Sequence, residues 1–332
     1  MEYLWLIIGF VLLIKGADWF VVGSSDIAKL LKIPSIVIGL TVVAFGTSMP
    51  EASVSINAAI NGDNSIAISN IIGSNIFNLL GVLGMSALLC PICCNKTAVK
   101  KEMPLSIISA AVLGILLCVG ASFPGSADAA LFDRLSAGVY ELDRIDGVIL
   151  LLIFAYYLYS QISDALKNRK LNPDAEEDNA DKGKKNVWIS LLLIAVGLTG
   201  IIFGGDLVVD SATVIAQNFG MSQTFIGLTI VAIGTSLPEL VTSMVAAHKG
   251  ESDLALGNVV GSNIFNIIFI LGFSALLSPM TIDIASLYDT AILIIVSLLA
   301  LALMARRMKV TRLQGVIYLL IYVLYFVYIL LR

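Results

Sequence analysis

The chain has 332 residues, of which 58% are hydrophobic and only 13% charged, with a formal net charge of −4. Soluble domains carry about 25% charged residues, so the composition argues against a soluble or disordered protein and for bundled membrane helices. The negative balance speaks against nucleic acid as a partner, and one histidine with four cysteines leaves little material for a zinc or thiol site.

A membrane-crossing helix takes roughly 20 apolar residues. Apolar runs at 3–22, 35–60, 65–90, 104–122, 146–163, 187–209, 222–248, 252–278, 286–305 and 313–331 predict an all-α polytopic membrane protein with ten spans. Met1-Glu2-Tyr3 offers no basic stretch before the first run, which reads as a retained helix rather than a cleaved signal. Lysine and arginine concentrate in alternate loops: Lys29 and Lys32; Lys96, Lys100 and Lys101; Lys167, Arg169, Lys170, Lys182, Lys184 and Lys185; Lys249; and Arg306, Arg307, Lys309 and Arg312. The positive-inside rule then places both termini outside the cytoplasmic membrane. Segment 164–186, containing Asn172-Pro173-Asp174, reads as a cytoplasmic linker between five-span halves at 1–163 and 187–332. Loop 123–145 carries Asp128, Asp133, Glu141 and Asp143 and reads as a solvated outer loop beside a short surface helix.

Residues 39–89 align without a gap to 227–277, 188 positions on, with about half of the positions identical. Gly46-Thr47-Ser48-Met49-Pro50-Glu51 pairs with Gly234-Thr235-Ser236-Leu237-Pro238-Glu239, and Gly73-Ser74-Asn75-Ile76-Phe77-Asn78 pairs with Gly261-Ser262-Asn263-Ile264-Phe265-Asn266. An odd number of spans per half makes equivalent helices cross in opposite directions, the inverted-repeat plan of many secondary transporters, whose substrate sites lie near the midplane.

Pro50 and Pro238 remove an N–H in mid-span and clash with the carbonyl four residues back, so each helix should break there. Carbonyls near Ala44 to Thr47 are then expected to lose helix partners and to need internal satisfaction, which a cation can supply. Glu51 and Glu239 are intramembrane carboxylates with no basic residue nearby in their own spans, and such groups mark functional sites. Facing one another they would repel, and cations or protons would relieve the repulsion. Ser74 with Asn78, and Ser262 with Asn266, lie four apart on one helix face. Gly73 and Gly261 permit close helix approach. The donors are all oxygen, which suits Ca²⁺ and Na⁺ rather than softer metals, and Mg²⁺ rarely enters an all-protein cage.

These paired motifs resemble the alpha repeats of the cation/calcium exchanger superfamily, which includes sodium/calcium exchangers. The resemblance implies a compact prokaryotic member in which a monomer suffices for transport within the lipid bilayer, with no cofactor and with Ca²⁺ and Na⁺ as substrates. It implies that Glu51 and Glu239 bind Ca²⁺, helped by the Thr47 and Thr235 carbonyls. The Ala44 and Ala232 carbonyls with Ser48, Ser74, Ser236 and Ser262 would line flanking Na⁺ sites, and Asn78 and Asn266 would supply central amide oxygens. The implied mechanism is alternating access, with the first and sixth spans sliding as gates. Potassium-dependent relatives carry an acidic residue at the position of Asn266, so the asparagine here implies transport without K⁺. With two carboxylates, Ca²⁺ leaves the site neutral and three Na⁺ leave it positive, making exchange electrogenic. The alternative is Ca²⁺/H⁺ antiport on the same glutamates. A channel or a membrane enzyme is disfavoured, because the repeats mirror one another and no catalytic motif is in place.

Other polar residues read as structural. Lys15 and Asp18 suit a local ion pair. Asp206, with Phe203 in place of the lysine, should meet water near the outer face. His248 reads as a bystander near a loop. Cys90, Cys93 and Cys94 should stay reduced at a cytoplasmic helix end. The tyrosine-rich C-terminus reads as lipid-facing packing with interfacial anchors.

Overall fold

The computed structural model describes residues 1–119, 140–171, 186–221 and 232–331. It is built of helices α1 (Glu2–Leu31), α2 (Ser35–Thr47), α3 (Met49–Asn61), α4 (Asn64–Leu89), α5 (Ala98–Val119), α6 (Arg144–Leu171), α7 (Val187–Asn218), α8 (Ala232–Gly234), α9 (Leu237–His248), α10 (Ser252–Leu277), α11 (Ile284–Arg307) and α12 (Arg312–Leu331). Among the described residues, eight helices are long and apolar enough to cross a membrane, and α2 with α3 forms a ninth candidate bent by 51°. Of the expected span 222–248, residues 222–231 lie outside the described residues, as do most of loop 123–145 and of linker 164–186; α8 and α9 are the remainder of that span.

Helix α1 extends well beyond the expected 3–22 and stops where Lys32 turns left-handed (φ 56°) before Pro34. Its last turns bury Ile27 and Ala28 in the core, and their polar residues are held by tertiary contacts. Ser25 Oγ donates to Glu251 Oε1 at 2.5 Å, and Lys29 Nζ donates to the same oxygen at 3.2 Å. Asp18 pairs with Lys249 at 2.7 Å, not with Lys15 as the local spacing suggested. A partner on the α9–α10 turn outcompetes the neighbour on the same helix. Helix α7 likewise runs to Asn218, past the expected 209.

Helices α4 and α10, which carry the second repeated motif, are mostly buried, whereas α6, α7 and α12 are mostly exposed and present large apolar side chains outward. These two helices of the repeats thus sit in the core, and the outer helices present apolar surface of the kind a bilayer covers. α1 and α7 pack antiparallel along glycines. An added Cβ on Gly9 would meet the Gly204 carbonyl at 3.0 Å, on Gly16 the Gly197 carbonyl at 2.7 Å, and on Gly23 the Ser190 carbonyl at 2.7 Å. Gly261 brings α10 onto α2, where a Cβ would lie 2.7 Å from Leu40 Cα. Gly73 meets no described atom within 4 Å, and the equivalent of Leu40, residue 228, lies outside the described residues.

Two short antiparallel ribbons tie helix ends together. β1 (Ile92–Cys93) pairs with β4 (Lys309–Val310), and β2 (Tyr140–Leu142) pairs with β3 (Met280–Ile282). All four cysteines are free, with Cys93 and Cys118 exposed. Burial, with the neighbouring Cys93, pushes the Cys94 thiol up to about 12. His248 is exposed at the end of α9.

Candidate cation site

Each repeat breaks where proline predicts. The α2–α3 junction bends at Ser48 (φ −84°, ψ 10°), and Ser236 adopts nearly the same geometry (φ −93°, ψ 7°). Pro50 and Pro238 then fall in the first turn of α3 and α9, where a missing N–H costs nothing. The freeing of carbonyls is narrower than expected. Ala44 keeps its helix bond, accepting from Ser48 N at 3.0 Å, while in the second copy Ser236 N donates to Ile233 O at 3.1 Å. The ladder recovers within one turn, with Ala52 N donating to the Ser48 carbonyl at 3.0 Å.

Both breaks deliver a glutamate and a serine to one place, and the bonds cross between repeats. Ser236 Oγ donates to Glu51 Oε1 at 2.8 Å, and Ser48 Oγ donates to Glu239 Oε1 at 2.7 Å. From α4, Ser74 Oγ reaches Glu51 Oε1 at 3.3 Å; from α10, Ser262 Oγ reaches Glu239 Oε1 at 3.5 Å and the Ala44 carbonyl at 3.4 Å. Ser236 and Ser74 hydroxyls also meet at 3.1 Å. Thr47 Oγ1 turns back to the Val43 carbonyl at 3.1 Å and reaches Asn258 Oδ1 at 3.0 Å. Asn78 and Asn266 lie beside them, in helical stretches that carry a π-type extra residue per turn, Asn78–Val82 and Phe265–Leu271. Such π-bulges cluster at functional sites.

Glu51, Glu239, Ser48, Ser236, Asn78 and Asn266 are completely buried, and Ser74, Ser262, Thr47 and Ala44 nearly or fully so. Thr235 is half-buried and lines a cavity of about 340 Å³ together with Pro50, Ser53, Pro238, Asp206 and Asp210. Ala232 begins α8, and its side chain is outside the described set. Eight of the twelve expected residues are therefore joined in one buried cluster, Asn78 and Asn266 are buried one turn beyond Ser74 and Ser262 on the same helices, Thr235 stands at its edge, and Ala232 is placed by its backbone alone.

Four oxygens among these residues, Glu51 Oε2, Glu239 Oε2, Asn78 Oδ1 and Asn266 Oδ1, are buried with no hydrogen-bond partner. They form two pairs related by the 188-residue offset. An unpaired buried polar atom costs about 1–3 kcal/mol, and more when charged, so four at one locus mark a place built for something that accepts oxygen lone pairs. None of the ion pairs found among the described residues includes either glutamate. A desolvated cation is the complement of such a set.

The residues that hold the ligands lie outside the expected set. Asn258 Nδ2 donates to the Glu239 carbonyl at 3.3 Å and to Ser243 Oγ at 2.9 Å; Asn70 Nδ2 does the same for the Glu51 carbonyl at 3.4 Å and Ser55 Oγ at 2.9 Å. Asn75 and Asn263 exchange hydrogen bonds across the repeats. The signal was available. Each is a polar residue inside an apolar run and recurs 188 positions on.

A family model described as sodium/calcium exchanger protein matches residues 1–163 and 189–331. The chain is 38% identical over 327 residues to the putative antiporter CaxA of Alkalimonas amylolytica, covering 97% of this chain and 96% of that one. It is 35% identical over 344 residues to the sodium/calcium exchanger MaX1 of Methanosarcina acetivorans, covering 98% of each. The solved structure of the sodium-calcium exchanger NCX_Mj soaked with zero Na⁺ and Ca²⁺ is similar with a TM-score of 0.79 at 34% identity, over 97% of both chains.

Proposed function

Because this chain belongs to the sodium/calcium exchanger family, we propose that it exchanges Ca²⁺ for Na⁺ across the cytoplasmic membrane by alternating access, extruding Ca²⁺ at the expense of inward Na⁺. The observation that carries this reading is the mirrored set of four unpartnered buried oxygens, two of them carboxylate. Ca²⁺ takes 6–8 flexible oxygen ligands. Glu51 and Glu239 supply charge, Asn78 and Asn266 supply amide oxygens, and the Thr47 and Thr235 carbonyls complete the central position. Ser48, Ser74, Ser236 and Ser262 with the Ala44 and Ala232 carbonyls serve the flanking Na⁺. Ser262, at the long end of hydrogen-bond range from both Ala44 and Glu239, is the hydroxyl freest to turn toward a cation.

Two carboxylates are neutralised by one Ca²⁺ and overcompensated by three Na⁺, so exchange is electrogenic. With asparagine at 266 the site lacks a third carboxylate, and transport requires no K⁺. The fold plan that goes with this reading is ten spans in two inverted five-helix halves, 1–163 and 187–332, joined by a cytoplasmic linker at 164–186, with both termini outside. The antiparallel packing of α1 on α7 and the crossed bonds between motifs support it.

The test is radioactive Ca²⁺ uptake into proteoliposomes loaded with Na⁺ and diluted into Na⁺-free buffer, beside a matched pH-gradient sample. Uptake that needs the outward Na⁺ gradient, persists without K⁺ and disappears in the Glu51→Gln, Glu239→Gln variant supports the reading. Uptake driven by the pH gradient alone replaces Na⁺ by H⁺ as coupling ion.

A further inference from the structure

The four asparagines of the second repeated motif form a closed hydrogen-bonded assembly, fully buried where α4 meets α10. Asn75 Nδ2 donates to the Asn263 carbonyl and Asn263 Nδ2 to the Asn75 carbonyl, both at 3.1 Å. Asn78 Nδ2 donates to Asn263 Oδ1 at 3.2 Å, and Asn266 Nδ2 donates to Asn75 Oδ1 at 3.0 Å. The direction of every bond is dictated by the two ends. A backbone carbonyl can only accept, so the group that Asn263 turns to Asn75 must be its NH₂. Its oxygen is then presented to Asn78, which must answer with its own NH₂. The Asn78 oxygen is left on the opposite side of the amide, buried and without a partner. The same chain of constraint runs from the Asn263 carbonyl through Asn75 to the Asn266 oxygen. Turning any one amide over would set oxygen against oxygen in a site shielded from water.

Resting on the cation-site reading above, we propose that Asn75 and Asn263 are positioning residues that relay the polarity of two backbone carbonyls to Asn266 and Asn78 and so hold those amides oxygen-first toward the cation. They do not touch the ion. The relay crosses between repeats, so each half of the chain orients the ligand of the other. This explains why asparagine recurs at both positions of the motif in both copies: the outer one is a ligand, and the inner one is the switch-point that fixes which atom of the ligand faces the site.

The test compares Asn75→Leu, which keeps similar volume without polarity, with Asn75→Asp. A protonated aspartate can donate to the Asn263 carbonyl and accept from Asn266, reproducing the relay. Partners that orient metal ligands are worth roughly 10- to 100-fold in affinity. Asn75→Leu should raise the Ca²⁺ KM and the Ca²⁺ concentration needed for half-maximal thermal stabilisation by about tenfold or more, while Asn75→Asp stays within about threefold of the parent. Because Asn75 acts through Asn266, Asn75→Leu combined with Asn266→Ala should bind Ca²⁺ no more weakly than Asn266→Ala alone. Combined with Asn78→Ala, which belongs to the other arm, its effect should multiply. If the leucine variant does not fold, Asn75→Ala is carried through the same cycle.

Multiplying effects with Asn266→Ala, or equal losses for leucine and aspartate, would overturn the relay while leaving the cation site standing. A parent protein without Ca²⁺-dependent stabilisation or flux would remove both.

Discussion

Replacing Glu51 by glutamine should move two measured quantities in opposite directions. Without ions, the parent holds Glu51 fully buried, with Oε1 taking hydroxyls from Ser236 and Ser74 and Oε2 unpaired. Glutamine keeps an Oε1 acceptor for both serines and removes the demand that a carboxylate places on a dry site. The amide carries no charge into a site that also buries the Glu239 carboxylate, and its NH₂ is a donor among unpaired acceptors, so the ion-free variant should melt at or above the parent. With Ca²⁺ the sign reverses. Deleting one member of a buried charge pair costs about 3–5 kcal/mol, which is roughly 10²- to 10³-fold or more in Kd. At a Ca²⁺ concentration 100 times the parent Kd, binding stabilises the parent by about 2.7 kcal/mol. A variant weakened 100-fold gains about 0.4 kcal/mol from the same solution. Thermal melting in detergent with and without Ca²⁺ reads both quantities. A variant that keeps the Ca²⁺ midpoint within threefold of the parent, or that loses ion-free stability, would refute the assignment of Glu51 as a cation ligand.

Further tests reach the rest of the molecule. Exposed Cys93, on the ribbon between α4 and α5, and exposed Cys118, in the last turn of α5, stand at opposite ends of α5. If both termini face outward, a membrane-impermeant thiol reagent should label Cys118 from outside intact cells and Cys93 only after permeabilisation. Cys94, buried and with its thiol pushed up to about 12, stays protonated at pH 8, so it should resist alkylation until the protein is unfolded. Gly16→Ala places a methyl group 2.7 Å from the Gly197 carbonyl and should cost about 1–3 kcal/mol by forcing α1 from α7, seen as a lower melting temperature with the Ca²⁺ midpoint unchanged. Removing both Lys29 and Lys249 should shift apparent Ca²⁺ affinity by about twofold to tenfold in opposite senses on the two membrane faces; equal weakening on both faces would instead mean general destabilisation.

The helical class, the paired breaks and the two glutamates were legible because each rests on a local rule: apolar run length, a proline in mid-span, a charge where no charge is cheap. What was not legible was set by partners distant in sequence. Asp18 reads as the neighbour of Lys15 until the α9–α10 turn brings Lys249 to 2.7 Å. The last turns of α1 look too polar to belong to the helix until Glu251 arrives to bind Ser25 and Lys29. The Ala44 carbonyl looks released by Pro50 until the bend proves narrow enough for Ser48 N to reach it. The extra residue per turn at Asn78–Val82 and Phe265–Leu271 also has no local signature, yet it alters the face on which every later side chain of α4 and α10 falls. Asn75 and Asn263 belong to the repeated motif, but their role depends on a hydrogen-bond direction that only the assembled pair of helices defines.

The mirrored site sits in a frame that is not mirrored, and the difference has a direction. On one side, the Lys249–Asp18 and Lys29–Glu251 pairs fasten α1 to the α9–α10 turn. Shifted by 188 positions, the same four places hold Asn61, Asp206, Gln217 and Asp63, which cannot form an ion pair between them. In place of a latch, the cavity beside Thr235 and Pro238 is lined by Asp206 and Asp210. Because Gly9 of α1 lies against Gly204 and Val208 of α7 while Gly23 lies against Ser190, the cavity and the Lys29 latch stand at opposite ends of the α1–α7 pair. Two exposed ion pairs are worth roughly 0.2–1 kcal/mol each, too little to lock a conformation and enough to bias one. A duplicated chain with a symmetric ligand set has no intrinsic preference between its two faces. On the alternating-access reading proposed above, charged pairs on one face and a carboxylate-lined cavity on the other would supply that preference while the site itself stays the same.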